Sequence, residues 1–405
     1  MKKKKFFKFR YLIVLLSIFL LSGCWNYREL NDMSIAGSIG IDYDVENNLF
    51  DVSVQVFKAK KSGSDTAGSS SDESPVVLYE EKGKTVHEAL RNAVKEAPKK
   101  LYIGHLDLIV FGEDLAKTHF FESLDFLFRD VESRKDFNII LAKGGTAKDV
   151  LKVLTPLETN PSTSMMQTLI ANSTFKGTAP TVSFDEALAY IYNEGIELTL
   201  PTVEIVGDTK KSDEADSIAK IDPKTALVFN SVAVFKNNKL IGYLNEEESL
   251  GFSIITGQIG SSVIPFPCDD SGNYASFEII KMKSGATVKK DGDQIKSEIA
   301  ISAKASLSEI NCAIDLTDDK EYKRIEEMAN KATEQIVQKA LNKVMKEYKS
   351  DIFGFGDQLF RTEYQYWKTI KPDWDSKFPE IETSIKTKIT LFTKGSTTTS
   401  TTKGG

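Results

Sequence analysis

The chain has 405 residues, 41% of them hydrophobic, and a formal net charge of −6. That length and composition provide for two or three domains with buried cores. Its first ten residues hold six Lys or Arg and no acid, so without them the charge falls from −6 to −12; this excludes the basic face of a nucleic-acid binder and suits a head held off an anionic membrane surface.

The basic start leads into an almost purely apolar run, Tyr11 to Leu21. At about a dozen residues it falls short of the ~20 that cross a bilayer as a helix, and a charged stretch followed by a short apolar one is the order of an export signal. The run ends in Leu21-Ser22-Gly23-Cys24, which resembles the bacterial lipobox. The resemblance implies that residues 1–23 are a lipoprotein signal peptide, that a diacylglycerol is carried on the Cys24 thiol, and that the chain is cut just before it. Paired acyl chains matter, because a single one gives only marginal membrane binding.

Residues 24–32 read as a short polar tether. Strand-like runs follow at Met33 to Tyr43 and Phe50 to Phe57, where Val52, Val54 and Val56 share one face, with a turn at Glu46-Asn47-Asn48 between them. Ser62 to Ser74 is Ser/Gly-rich and reads as a flexible loop that can divide the region into two subdomains. Val76 to Tyr79 is a strand. Thr85 and Glu88 form a capping box that opens a helix to Ala97, closed by Pro98. Leu101 to Phe111 reads as one buried strand, Phe120 to Phe128 as an amphipathic helix, Phe137 to Ala142 as a strand, and Thr146 as the cap of a further helix. Ser183 and Glu186 open a helix to Asn193, and Ile196 to Val206 returns to strand, with Pro201 pointing to an edge position. This alternation makes residues 24–206 an N-terminal α/β region.

Residues 207–224 are charged and poor in large apolar side chains, as a linker is. Residues 225–394 then read as a C-terminal α+β domain. Ala226 to Phe235 and Leu240 to Leu244 form a hairpin around Asn237-Asn238. Phe277 to Lys283, Ala286 to Lys289 and Ile295 to Ala305 form an antiparallel meander with a tight turn at Asp291-Gly292. From Asp318, a stripe of Tyr322, Ile325, Ala329, Ala332, Ile336, Ala340, Val344 and Tyr348 marks one long helix, whose apolar side needs the meander as cover. Gly354 and Gly356 break it, an aromatic-rich helix runs from Asp357 to about Thr369, and Ile385 to Phe392 is a last strand. The tail, residues 395–405, reads as disordered. The fold class is α+β or mixed α/β and multi-domain: an N-terminal α/β region followed by a C-terminal antiparallel sheet packed against one long helix.

Sites for chemistry are scarce. No phosphate-cradling glycine loop, nucleophile elbow or zinc-protease motif occurs, and the chain has three histidines. His105 and Asp107 share a face if their segment is one strand, an arrangement in which a carboxylate orients a base, but no nucleophile is tied to them. His87 reads as solvated and His119 as a helix cap or surface residue. Glu246-Glu247-Glu248 reads as a solvated helix start, and Asp269-Asp270 as a polar turn that could at most hold a cation loosely. Cys268 and Cys312 can be joined in a disulfide, as export permits, or stay free; without neighbouring histidines they make a poor zinc site. No catalytic, cofactor or metal residue is expected, and the chain reads as a non-enzyme.

The segment Gly23-Cys24-Trp25-Asn26-Tyr27-Arg28-Glu29-Leu30-Asn31 resembles the mature start of the Ger(x)C spore-germination lipoproteins, the C subunits of nutrient germinant receptors, with Asn26 and Tyr27 departing from the usual pattern. Ile39-Gly40-Ile41-Asp42, Gly104-His105-Leu106, Asp351-Ile352-Phe353-Gly354-Phe355-Gly356, Trp367, Trp374 and Phe378-Pro379-Glu380 match further blocks of that family in the same order. The resemblance implies several mixed α/β domains without an enzyme homologue. It implies a lipid-anchored subunit on the outer face of the spore inner membrane, beside integral membrane A-type (transporter-like) and B-type receptor subunits, in a complex that answers nutrients by starting germination. Of the residues placed, Cys24 alone has a defined chemical role, lipid attachment. A solute-binding lipoprotein of an importer is the rival reading; it would share the lipobox and the α/β first half, but would continue in strand-helix units after the linker.

Overall fold

The fold is described from a computed structural model, in which residues 32–58, 74–130, 133–158, 160–207, 223 and 225–393 are placed. The expectations for Cys24 and residues 1–23, for most of the Ser/Gly loop and of the linker, and for the tail lie outside these residues.

The first sheet has ten strands. Four run parallel at its centre: β1 (Met33–Asp44), β5 (Leu108–Phe111), β6 (Asn138–Ala142) and β7 (Thr199–Gly207). β2 (Leu49–Phe57) and β3 (Val76–Gly83) extend it antiparallel on one side, and the hairpin of β9 (Val232–Lys236) and β10 (Lys239–Leu244) on the other. β4 (Lys100–Tyr102) pairs with the start of β1 and β8 (Thr225–Val228) with the end of β7. Helices cover both faces, as parallel strands require. On one side lie α1 (Val86–Asn92), α2 (Glu113–Thr118), α3 (Phe120–Arg129) and α6 (Phe184–Ile191), over Ile39, Ile41, Val52, Val54, Ile109 and Phe111. On the other lie α4 (Ala147–Lys152) and α5 (Pro161–Phe175), over Leu108, Val110, Ile140 and Ala142. β2 shows the consequence. Val52, Val54 and Val56 are buried as their alternation predicts, but so are Ser53 and Gln55, and Gln55 Nε2 donates to Leu151 O at 3.0 Å.

Three local expectations are corrected. Leu101 to Phe111 is two short strands, because Gly104, His105 and Asp107 fall in a turn and Asp107 N donates to Gly37 O at 2.9 Å instead of continuing a ladder. β7 is an interior strand: Thr199–Pro201 pair with β9 while pairing with β6 begins only at Thr202, so the missing amide of Pro201 leaves no gap in either ladder. Helix α5 has no counterpart in the sequence reading, since PSTSMMQTLIANSTF carries six Ser/Thr, residues of weak helix propensity, and no clean apolar stripe.

The capping boxes are instructive in detail. Ser183 and Glu186 exchange both expected bonds, as do Asn245 and Glu248 at the start of α7 (Glu246–Thr256). Thr85 accepts from Glu88 N, but Glu88 turns to Lys84 N instead of the cap amide, and α1 tightens into a 3₁₀ turn at Ala93–Lys95.

The second sheet is built from β11 (Val263–Pro267), the long pair β12 (Tyr274–Asp291) and β13 (Gln294–Ile310), and β14 (Glu382–Thr393). β12 runs through Ser284-Gly285, where the sequence suggested a break, and the pair turns at Gly292, whose φ of 62° suits glycine. β14 joins parallel to β13. That geometry demands a crossover, and the long helix supplies it. α8 (Asp319–Leu341) is capped by Asp318, continues as a π-helical stretch through Tyr348, and buries Ile325, Ala329, Ile336, Ala340 and Val344 on the sheet. Helix α7 crosses it where Gly251 lies; a Cβ there would meet Ile336 O at 2.6 Å.

The β9–β10 hairpin, read from the sequence as the opening of the second domain, completes the first sheet instead. Its pattern serves two cores: Ala233 and Phe235 face the N-terminal one, Val232 and Val234 the C-terminal one. Alternation of two apolar faces is what a strand needs when both sides are covered.

Candidate functional site

The joint between the two halves gathers the densest block of unusual residues. The long helix ends at Lys349, in left-handed backbone with φ 50°, and the next residue pair docks on β9: Ser350 Oγ donates to Phe235 O at 2.6 Å. Asp351 follows, 4% exposed. Its carboxylate accepts from Phe355 N at 3.1 Å, Gly356 N at 2.7 Å and Trp374 Nε1 at 3.1 Å. It thereby satisfies the first amides of α9 (Phe355–Thr362), which have no partner inside the helix. Burial pushes its carboxyl up to about 7, against the pull of those donors. Trp374 packs edge-on to Trp367 of α10 (Tyr364–Ile370) at 5.1 Å, and Phe355, Phe378 and Phe353 extend the aromatic cluster.

This block grips the N-terminal half through backbone. Glu197 N donates to Asp351 O at 2.9 Å and Asp357 N to Gly195 O at 2.7 Å, while Asn193 Nδ2 donates to the Asp357 carboxylate at 2.7 Å. The contact admits no side chain: a Cβ on Gly356 would meet Trp367 at 2.7 Å and Gly195 O at 2.9 Å, and one on Gly195 would enter the Gly356–Asp357 peptide. A cavity of about 300 Å³ opens beside the joint, lined by Tyr190, Glu197, Gln258, Phe353 and Gln358 among others. Gln358 is committed, donating to Ala286 O at 2.8 Å and accepting from Val288 N at 3.0 Å. Glu197 accepts from Asn237 N, and burial raises its carboxyl.

A second, half-buried carboxylate sits in the first sheet. Asp42, last of Ile39-Gly40-Ile41-Asp42, accepts from Ala147 N at 2.8 Å and Lys148 N at 3.0 Å, holding the start of α4 against β1. Burial pushes it up to about 6. Asp42 and Asp351 do the same work, and the sequence reading assigned neither a role. The available signal was an acid bordering an apolar run or a helix end, where a carboxylate survives only if donors surround it.

The other singled-out residues are dispersed. His105 lies edge-on to Tyr102 at 5.6 Å, and Asp107 accepts from Ser162 and Thr163 hydroxyls at 3.2 and 3.1 Å. His87 stacks on Phe126 at 4.9 Å and His119 on Tyr43 at 3.8 Å. Asp269 closes its own turn on Ser271 and Asn273. Cys268 and Cys312 form a disulfide, with Cα atoms 6.2 Å apart, that ties the end of β11 to the exit of β13. Among the described residues no group of three or more His, Cys, Asp or Glu could hold a metal ion, and no helix is long and apolar enough to cross a membrane.

Comparison with known proteins follows the same two halves. Residues 26–205 match the spore germination protein N-terminal domain, and residues 230–395 match the spore germination B3/GerAC-like C-terminal domain. Spore germination protein KC of Bacillus subtilis (strain 168) is 28% identical over 381 residues, covering 92% of each chain. Spore germination protein A3 of the same organism is 27% identical over 412 residues, covering 96% of this chain and 99% of that one. Among solved structures, that of the GerBC protein superposes with a TM-score of 0.55 at 20% identity, covering 87% of this chain and 97% of the other; it speaks for the fold.

Proposed function

The chain belongs to the spore germination family defined by these two domains, with a role in spore germination, and we propose that within that role it is the lipid-anchored subunit of a nutrient germinant receptor. The observation that carries the reading is the pair of collinear matches, residues 26–205 and 230–395, placed after Leu21-Ser22-Gly23-Cys24. The Cys24 thiol carries a diacylglycerol and the signal peptide is removed. Met33 lies nine positions after Cys24, so at ~3.5 Å per residue the start of β1 stays within about 32 Å of the lipid. The head then stands outside the cytoplasm, on the outer face of the spore inner membrane, and works by contact with the integral A-type and B-type subunits. No reaction is assigned to it. The carboxylates of Asp351 and Asp42 are consumed by backbone amides and an indole of their own fold, which supports a rigid interaction body.

Spores carrying Cys24→Ala in a background without redundant receptors test this. The expected result is loss of nutrient-triggered germination together with loss of the protein from the inner membrane. Normal germination to every nutrient would overturn the reading. Thermal stabilisation of the purified head by a solute would point instead to a binding lipoprotein, since a ligand at 100 times its dissociation constant adds about 2.7 kcal/mol.

A further inference from the structure

The second sheet buries one face against α8 and leaves the other open. The register fixes what shares the middle of that open face. Lys281 lies opposite Lys304, Ser302 lies between Lys283 and Lys388, and Ala300 lies between Gly285 and Lys386. All five lysines are exposed. Lys386 is paired with Glu298 at 2.6 Å; among the described residues the other four form no ion pair.

This is an unfavourable arrangement for a face that only meets water. Strands ~4.8 Å apart with a two-residue repeat of ~6.7 Å bring the four ammonium groups within about a Debye length of one another. Like charges directly opposite on neighbouring strands destabilise a sheet. They are gathered in a chain whose charge, outside its first ten residues, is −12. A shallow, open depression of about 550 Å³ on this face is lined by Gly285, Ala300 and Ser302 together with Lys283, Lys386 and Lys388. Small side chains let another backbone come close, while the lysines stand up to meet its charges.

We infer that this face is a docking surface for an acidic segment of a partner protein, laid across β12, β13 and β14 with carboxylates against Lys281, Lys283, Lys304 and Lys388. The small side chains between the lysines suit a peptide backbone, and vesicle binding through the same lysines is the competing outcome of the test below. A nucleic-acid strand would want aromatic platforms, and these rows have none. The inference deepens the interaction role proposed above and is tested apart from it, because purified protein reads the lysine face whether or not Cys24 carries lipid.

The purified full-length chain and its K281E/K283E/K304E/K388E variant are titrated with a fluorescent oligoglutamate peptide, and each is sedimented with phosphatidylglycerol vesicles. Expected is peptide binding by the parent chain, weakened on the order of tenfold or more in the variant and by raising salt to about 0.15 M, with an unchanged circular dichroism spectrum. A triple reversal in the N-terminal half, K95E/K99E/K100E, between the 3₁₀ turn and the start of β4, should leave peptide binding as it was. Equal binding by parent and quadruple variant, no peptide binding by the parent, or vesicle binding that alone depends on the four lysines would overturn the proposal.

Discussion

The two sheets of this molecule answer the same problem in opposite ways. The first is covered on both faces, so β5 is apolar throughout, β6 is apolar after Asn138, and even Ser53 and Gln55 of β2 are buried. The second is covered on one face, so β13 alternates buried and exposed along nearly its whole length. The difference shows where sequence variation can carry interactions. A covered sheet is bound by packing everywhere, whereas an open one has a face free to specialise, and here that face has become a field of lysines.

The contrast can be broken most severely at Ser53. Ser53→Lys places a charge on a face with no exit to water and should cost about 3–5 kcal/mol, on the scale of a buried unpaired charge. A urea midpoint close to that of the parent protein would mean that β2 is not covered on its second face. Loss of the disulfide comes next. Cys268→Ser with Cys312→Ser opens a loop of 44 residues and should lower stability by about 2–4 kcal/mol, read as a lower melting temperature matched by the reduced parent chain; equal melting of oxidised and reduced protein would remove the bond from the account.

The dependence on pH is the third test. Asp351 and Asp42 are raised to about 7 and about 6 by burial, so the folded state holds their protons more tightly than the unfolded state. Stability from these groups is full below about pH 4, falls as pH rises towards 7, and is level above. Asp44 and Asp291, held low by Lys82 and Lys296, act with the opposite sign, and only below about pH 4. Melting temperature should therefore decline between pH 4.5 and 7, and Asp351→Asn should flatten the upper part of that decline. A rise across the window would contradict the assignment. The smallest effect belongs to the open face: Lys281→Thr relieves a repulsion with Lys304 and should be neutral or stabilising by about 0.2–1 kcal/mol, where a clear loss of stability would show the lysine to be part of the packing.

Legibility followed the same divide. The one-sided sheet and the long helix with its start at Asp318 could be read directly, because period-two and helical stripes record which side is wet. So could the boxes at Ser183 and Glu186, whose bonds are local. The β9–β10 hairpin was read with the C-terminal domain, and its pairing with the first sheet stayed hidden, since its alternation reports two covered faces without saying which core takes which. Helix α5 was missed because its Ser/Thr-rich surface leaves no stripe. The joint was visible only as a run of aromatics and glycines. That Gly195 and Gly356 touch, and that Asp351 serves amides and an indole from two later segments, depends on contacts between residues far apart in the chain.

The central claim, an anchored head with Cys24 as its mature first residue, is tested most directly by mass spectrometry of the protein's N-terminal peptide from spore inner membranes. The account predicts a peptide that begins at Cys24 and carries a diacylglyceryl mass on its sulfur. A chain that still begins upstream of Cys24, or an unmodified Cys24 in the soluble fraction, would contradict it.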